Sequence, residues 1–121
     1  MAFLGDAFYE LSVRSMLVGK GRAYNADRLH MAAVKYVKAQ AQARAVRGMT
    51  ADGLLSEEEL DVIRRARNHK PKSYPKNADP VDYKLATAFE ALLGWNFVAG
   101  RKERAEELAA LAIRVIDGER A

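Results

Sequence analysis

Apolar side chains recur three and four residues apart along most of the chain, which is the period of an amphipathic α-helix. This pattern predicts helices over residues 6–18, 25–47 with a bend near the Ala-Gln repeats, 56–68, 80–98 and 102–116. No segment of convincing length alternates β-branched and polar residues, so no sheet is expected. The sequence therefore predicts an all-α fold.

Helix boundaries are marked by capping residues and by breaks. Ser56 and Glu59 have the spacing of a capping box, in which each side chain bonds the backbone N–H of the other residue. Asp79 before Pro80 is a cap residue followed by proline at the first helical position. A break is expected at residues 48–53, and the loop 69–79 holds two of the three prolines.

The second predicted helix has two faces. Its apolar face follows helical spacing and consists of Leu29, Ala33, Tyr36, Val37, Gln40 and Ala43. Its polar face consists of Lys35, Lys38, Gln42 and Arg44. The fourth helix of the prediction, residues 80–98, is apolar on most sides and belongs at the centre of a core or at a partner surface.

Composition limits the function classes. The 121 residues are 50% hydrophobic and 30% charged, which suits one globular domain over residues 1–121. The absence of cysteine excludes disulfides, thiolate metal sites and a cysteine nucleophile, and the two separated histidines argue against a catalytic triad or a zinc site. No apolar run reaches the roughly 20 residues of a membrane span, and no signal peptide is apparent, so a cytoplasmic protein is expected.

The net charge of +4 is unevenly distributed. Five acids and no base lie between residues 52 and 61, whereas six bases and no acid lie between residues 64 and 76. The bases are Arg64, Arg65, Arg67, Lys70, Lys72 and Lys76. This run is interpreted either as a solvated surface or as a phosphate-binding segment, and the sequence favours neither.

Two carboxylates occupy unexpected positions. Glu90 lies within the most apolar helix, where an unpaired carboxylate is costly, and Asp6 follows Gly5 among apolar neighbours. The simpler interpretations are that Asp6 is an N-cap and that Glu90 pairs with a base on another helix, while Glu10 is expected to pair with Arg14. If Asp6 and Glu90 meet in a groove, they form a pair of oxygen ligands for Mg²⁺.

Six ordered motifs resemble the ribonuclease III catalytic-domain family, and more closely its Mini-ribonuclease III subfamily. The motifs are Leu4-Gly5-Asp6-Ala7-Phe8-Tyr9-Glu10, the Tyr36–Ala43 stretch, Glu57-Glu58-Glu59, Arg64-Arg65-Ala66-Arg67-Asn68, Pro75-Lys76-Asn77-Ala78-Asp79, and Tyr83–Gly94 with its Phe89-Glu90-Ala91-Leu92-Leu93-Gly94 core. The resemblance covers nearly the whole chain.

The resemblance implies a homodimeric, Mg²⁺-dependent endoribonuclease that cleaves both strands of double-stranded RNA, with Asp6 and Glu90 as catalytic metal ligands. It implies 5′-phosphate and 3′-hydroxyl products and maturation of the large-subunit (23S) ribosomal RNA precursor. A ribosomal protein that presents the substrate is a candidate further partner, and no membrane is expected. Ala2 and Thr87 stand where longer relatives carry acids, as in the subfamily, so more water is expected around the cation.

Because the chain ends directly after the last predicted helix, no separate RNA-binding domain is expected, and the catalytic body itself must grip the duplex. The candidate RNA-binding residues are Arg64, Arg67, Lys70, Lys72, Lys76 and Asn77, with Lys35, Lys38 and Arg44 as weaker candidates. An apolar face near Phe3, Phe8 or Trp95 is the candidate dimer interface.

Two alternatives from other classes stay open. A non-catalytic RNA-binding or ribosome-assembly protein on the same fold is compatible with Ala2 and Thr87, although the intact Asp6 and Glu90 argue against it. A helical interaction module without a nucleic-acid role would explain the apolar helix but not the run of bases.

Overall fold

The fold, seen in a computed structural model that describes residues 1–20 and 25–118, consists of helices and their connections. In chain order the helices are α1 (Ala2–Gly19), α2 (Ala26–Val37), α3 (Ala39–Ala51), α4 (Glu57–Asn68), α5 (Pro80–Val98) and α6 (Lys102–Ile116). No strand occurs in the described part of the chain, so the predicted all-α fold is confirmed. None of the described helices is long and apolar enough to cross a membrane.

Most helix ends form where the capping residues predict them. At α4, Glu59 N donates to Ser56 Oγ at 3.1 Å and Ser56 N donates to Glu59 Oε1 at 3.0 Å, which completes the capping box. At α5, Asp79 accepts hydrogen bonds from two backbone N–H groups of the first turn. The bend predicted near the Ala-Gln repeats lies at Lys38, whose extended backbone (ψ 150°) separates α2 from α3.

Two predicted boundaries are wrong. Helix α1 begins at Ala2, with Met1 as its N-cap, so Asp6 lies inside the helix and caps nothing. Helix α3 continues through Gly48 to Ala51, because Gly48 packs against Val115 of α6 instead of ending the helix. The chain then turns only at residues 52–56.

Helix α5 is the centre of the molecule, as its apolar sequence predicts, and it packs against α1, α3, α4 and α6. Phe89, Leu92 and Leu93 are completely buried. The ring of Phe89 meets the ring of Tyr9 of α1 edge-on, with 5.1 Å between centroids. Tyr9 in turn donates from its hydroxyl to the backbone oxygen of Tyr36, 3.1 Å away, and so ties α2 to the same core.

A buried ion pair joins α4 to α6. The side chain of Glu59 is only 4% exposed, and its Oε1 lies 2.7 Å from Arg104 Nη2. Asn96 of α5 donates to Glu59 Oε2 at 3.1 Å, and Arg104 also donates to the carbonyl oxygen of Leu54 at 2.8 Å. The sequence indicated the cap that Glu59 forms but not this second role.

Candidate active site

Helices α1 and α5 cross at two glycines. A Cβ atom on Gly5 would overlap the carbonyl oxygen of Glu90 and lie 3.0 Å from its Cα. A Cβ atom on Gly94, one turn later on α5, would overlap the carbonyl oxygen of Met1. Only glycine allows the two backbones to approach this closely. The crossing therefore places the residue after Gly5, which is Asp6, beside Glu90.

The carboxyl groups of Asp6 and Glu90 interact directly. Glu90 is half-buried, and its burial and the neighbouring charge of Asp6 raise its pKa to about 8, with a hydrogen bond between the two carboxyl groups acting in the same direction. Asp6 is exposed to solvent. Without a cation, both effects favour the protonated form of Glu90. The prediction that Glu90 pairs with a basic side chain is wrong, because its partners are a carboxyl and an amide.

Glu10 lies one turn after Asp6 on α1 and belongs to the edge of the site. Its Oε2 accepts a hydrogen bond from Arg14 Nε at 3.2 Å, which confirms the predicted pair. The charge of Glu10 also contributes to the raised pKa of Glu90. Neither Ala2 nor Thr87 brings a further carboxylate to the site.

Gln42 of α3 is the third polar side chain at the crossing. Its Nε2 donates to Glu90 Oε2 at 3.3 Å and to the carbonyl oxygen of Val37 at 2.7 Å. The side chain is buried, at 2% exposure, so its assignment to the polar face of the helix is wrong. Gln40, predicted on the apolar face, is exposed instead. The bend at Lys38 shifts α3 out of register with α2, so these two glutamines exchange places, while Ala43 stays buried and Arg44 stays exposed as predicted.

The donor set of this crossing fits a hard divalent cation. Among the described residues no three His, Cys, Asp or Glu side chains form a metal cluster, so the site supplies two carboxylates only. The Oε1 atom of Gln42 is buried and has no hydrogen-bond partner. Two carboxylates beside an unsatisfied amide oxygen suit Mg²⁺, which keeps several waters and takes few protein ligands.

The basic run divides into two parts. Arg64 and Arg65 both pair with Asp61, one turn earlier on α4, so the run is not free of acidic partners at its beginning. Within the described chain the later bases form no ion pair, and all of them are exposed: Arg67, Lys70, Lys72 and Lys76. Asn77 is also exposed and has a left-handed backbone, with φ 66°.

An aromatic contact attaches this loop to the helix that carries Glu90. Tyr74 lies between Lys72 and Lys76, and its ring meets the ring of Tyr83 on α5 edge-on at 5.6 Å. The bases of the loop are therefore attached to α5.

Two of the three weaker RNA-binding candidates have partners within the chain. Lys35 Nζ lies 2.9 Å from Asp117 Oδ1. Arg44 Nη2 donates to the carbonyl oxygen of Ile116 at 3.1 Å. Lys38 is exposed at the bend.

The candidate interface residues have different environments. Phe3 is 96% exposed. Phe8 is half-buried and packs against Phe97 with 5.6 Å between ring centroids. Trp95 is half-buried beneath the guanidinium of Arg101, which lies 4.3 Å from the ring centroid.

Comparison with known proteins matches the ribonuclease III domain to residues 1–101. A Mini-ribonuclease 3 of Brevibacillus brevis is 46% identical over 119 residues, covering 98% of this chain and 87% of that protein. A Mini-ribonuclease 3 of a Thermoanaerobacter species is 44% identical over 97% of this chain and 80% of that protein. The crystal structure of a Fusobacterium nucleatum protein superposes with a TM-score of 0.80 at 30% identity, covering 93% of this chain and 88% of that one. The chain therefore belongs to the ribonuclease III domain family, within its Mini-ribonuclease 3 group.

Proposed function

We propose that this ribonuclease is a homodimeric, Mg²⁺-dependent endonuclease of double-stranded RNA, in which Asp6 and Glu90 hold the cation. One observation carries the proposal: two acids far apart in the sequence lie beside each other where α1 and α5 cross, near enough for Asp6 to raise the pKa of Glu90. Such a pair is costly to keep in an apolar helix unless it serves a ligand.

The two carboxylates have different tasks. Asp6 is exposed and meets an approaching phosphate group, whereas Glu90 is half-buried and is held by Gln42. To bind a cation, Glu90 must first lose the proton that its raised pKa retains. When bound, Mg²⁺ would neutralise charge on the phosphate and lower the pKa of the attacking water. Hydrolysis with the 3′ oxygen as the leaving group gives 5′-phosphate and 3′-hydroxyl ends.

The exposed basic side chains bind the RNA in this proposal. An A-form duplex is recognised mainly through its phosphates and 2′-hydroxyls, which suits flexible cations on a loop. Lys70, Lys72 and Lys76 lie on the loop that Tyr74 attaches to α5, and Arg67 lies in the last turn of α4. Arg64 and Asn77 complete the proposed RNA-binding set. Arg64 would exchange Asp61 for a phosphate on binding.

Two-fold symmetry would give the dimer two copies of the site, each cutting one strand. The apolar side chains exposed on α1 include Phe3 and Leu11, and we assign the interface to this face. The family suggests the large-subunit ribosomal RNA precursor as substrate and the cytoplasm as location. A ribosomal protein that presents the RNA belongs to the same proposal.

The deciding experiment incubates the purified protein with long double-stranded RNA, with and without Mg²⁺, beside Asp6→Asn and Glu90→Gln. Glu103→Gln is the matched control, since it removes an exposed carboxylate at the start of α6. We expect Mg²⁺-dependent fragments from the unchanged protein and the control, and a loss of at least about 100-fold in both site variants. Binding of RNA without cleavage under every condition would instead favour a non-catalytic RNA-binding protein.

A further inference from the structure

We propose that Gln42 is a positioning residue that fixes the Glu90 carboxylate for cation binding. The inference rests on the proposed function, because it takes Glu90 as a ligand of Mg²⁺. It adds that the side-chain amide of Gln42, on α3, sets the orientation of the Glu90 carboxylate, on α5.

The bend between α2 and α3 creates the anchor for this amide. In an unbroken helix, the carbonyl oxygen of Val37 would accept from the N–H of Ala41. At the bend, the N–H of Ala41 donates to the carbonyl oxygen of Lys38 instead, at 3.1 Å. The carbonyl oxygen of Val37 is thereby released from the helix, and Gln42 Nε2 occupies it at 2.7 Å.

The hydrogen bond from Gln42 to Val37 determines where the second hydrogen of the amide points. A glutamine amide nitrogen has two hydrogens, and with one directed at Val37 the other is directed at Glu90 Oε2, 3.3 Å away. Both acceptors are oxygens that cannot donate when Glu90 is ionised, so the amide has one favourable orientation. The bend thus fixes the amide, and the amide fixes one oxygen of the carboxylate.

Burial makes the arrangement rigid. Gln42 is 2% exposed, and its neighbours Ala41 and Ala43 are fully buried, so little space is left for another rotamer. The remaining atom, Oε1, is buried and has no hydrogen-bond partner among the described residues. A neutral amide is well suited to this place, because it stabilises the ionised carboxylate without a positive charge that would compete with the cation. Partners that orient a metal ligand typically change metal affinity 10- to 100-fold when they are removed.

The test measures Mn²⁺ binding to the RNA-free protein by electron paramagnetic resonance, with Mn²⁺ as an oxygen-seeking substitute for Mg²⁺. Gln42→Met keeps the length of the side chain and removes the amide. We expect it to raise the Kd for Mn²⁺ about 10-fold or more and to lower kcat on double-stranded RNA while KM stays within twofold. Gln40→Met, an exposed glutamine on the same helix, is the matched control and should leave the Kd for Mn²⁺ unchanged.

Gln42→Asn covers the case in which the methionine variant does not fold. It keeps an amide that is one methylene too short to reach both Val37 and Glu90, so the Kd for Mn²⁺ should rise here too. A purely structural role would lower the melting temperature and leave the Kd for Mn²⁺ and kcat of the folded protein unchanged, which would overturn the inference.

The variants Asp6→Asn and Glu90→Gln distinguish a failure of the Gln42 assignment from a failure of the proposed function. If both abolish Mn²⁺ binding and the Gln42 variants do not weaken it, the assignment of Gln42 is wrong and the proposed function stands. If the unchanged protein binds no Mn²⁺ at this site, the proposed function is wrong, and the role of Gln42 is refuted with it.

Discussion

Gly5 lies directly against the backbone of Glu90, so that a single added methyl group at residue 5 would overlap the Glu90 carbonyl oxygen. This contact brings α1 and α5 together at the candidate active site. The packing of α1 against α5 and the placement of the two carboxyl groups therefore depend on the same few atoms.

Gly5→Ala should damage both stability and activity. The added Cβ meets backbone atoms, which cannot rotate away, so α1 must move off α5 at a cost of about 1–3 kcal/mol or more. The shift also separates Asp6 from Glu90, and cleavage should fall even at temperatures where the variant is folded. Chemical denaturation and an RNA cleavage assay measure the two effects.

Gly19→Ala is the control for this substitution, because a Cβ atom there meets nothing within 4 Å. It should leave stability and cleavage nearly unchanged. Equal stability of Gly5→Ala and Gly19→Ala would show that the close crossing is not required.

The raised pKa of Glu90 should make stability fall as pH rises. The group has a pKa of about 8 in the folded protein and 4.5 as its model value. Between these values the folded state binds the proton and the unfolded state does not, so unfolding becomes easier with rising pH, by a few kcal/mol across the interval. Urea titrations at pH 5 and pH 8 without divalent cations measure this, and Glu90→Gln should show a smaller loss.

The same proton should compete with the cation. Mn²⁺ affinity should increase from pH 6 to about 8, because deprotonation of Glu90 must precede binding. Calorimetric titrations across this range test the expectation. An affinity independent of pH would contradict the assignment of Glu90 as a ligand.

Substitution of the loop lysines should weaken RNA binding through charge alone. Each of three variants, Lys70→Ala, Lys72→Ala and Lys76→Ala, should lose about one phosphate contact. The slope of log Kd against log salt should therefore fall by about one in each. The loss should be similar for different duplex sequences, since phosphates carry no sequence information. Filter binding at several salt concentrations measures the slope.

Lys102→Ala is the matched control for the loop lysines, because it removes one exposed charge from the start of α6. Its slope should equal that of the unchanged protein. If the loop variants keep the full slope, the loop does not contact phosphates.

Glu59→Gln should lower the stability of the fold without altering the proposed cation ligands. The change leaves Arg104 without its buried partner and weakens the cap of α4, at a cost of about 3 kcal/mol. Glu58→Gln, exposed in the same turn, should cost less than about 1 kcal/mol. Thermal melting compares the two variants.

The pH dependence of Glu59 has the opposite sign to that of Glu90. Although burial alone would raise it, hydrogen bonds from Arg104, Ser56 and Asn96 bring the pKa of Glu59 down to about 2. Its contribution is complete above the ordinary glutamate pKa and is lost as the pH falls from about 4.5 towards 2. As the pH falls below about 4.5, the Glu59→Gln variant should therefore approach the unchanged protein in stability.

Local signals determined most helix ends in advance. Ser56, Asp79 and Pro80 act on backbone groups within a few residues of themselves, so their effects can be read directly from the sequence. Asp6 and Gly48 misled the same rules, because α1 has already begun at Ala2 and because Gly48 packs against Val115 within a continuing helix. Local propensity is a weak guide wherever tertiary packing opposes it.

Gln42 shows what periodicity could not reveal. A helical repeat assigns a face only while the helix is continuous, and the bend at Lys38 moves Gln42 inward and Gln40 outward. The signal available in the sequence was its position between Ala41 and Ala43, small residues that allow another helix to pack closely.

The sequence by itself determined that the chain is helical, where most helices end, and that Asp6 and Glu90 are unusual acids in apolar surroundings, because these properties depend on neighbours along the chain. Only the tertiary structure decided that the two acids touch, that Gln42 holds one of them, and that Glu59 is buried against Arg104. The physical reason is that electrostatic and hydrogen-bond partners act over a few ångströms in space, and separation in sequence says nothing about that distance.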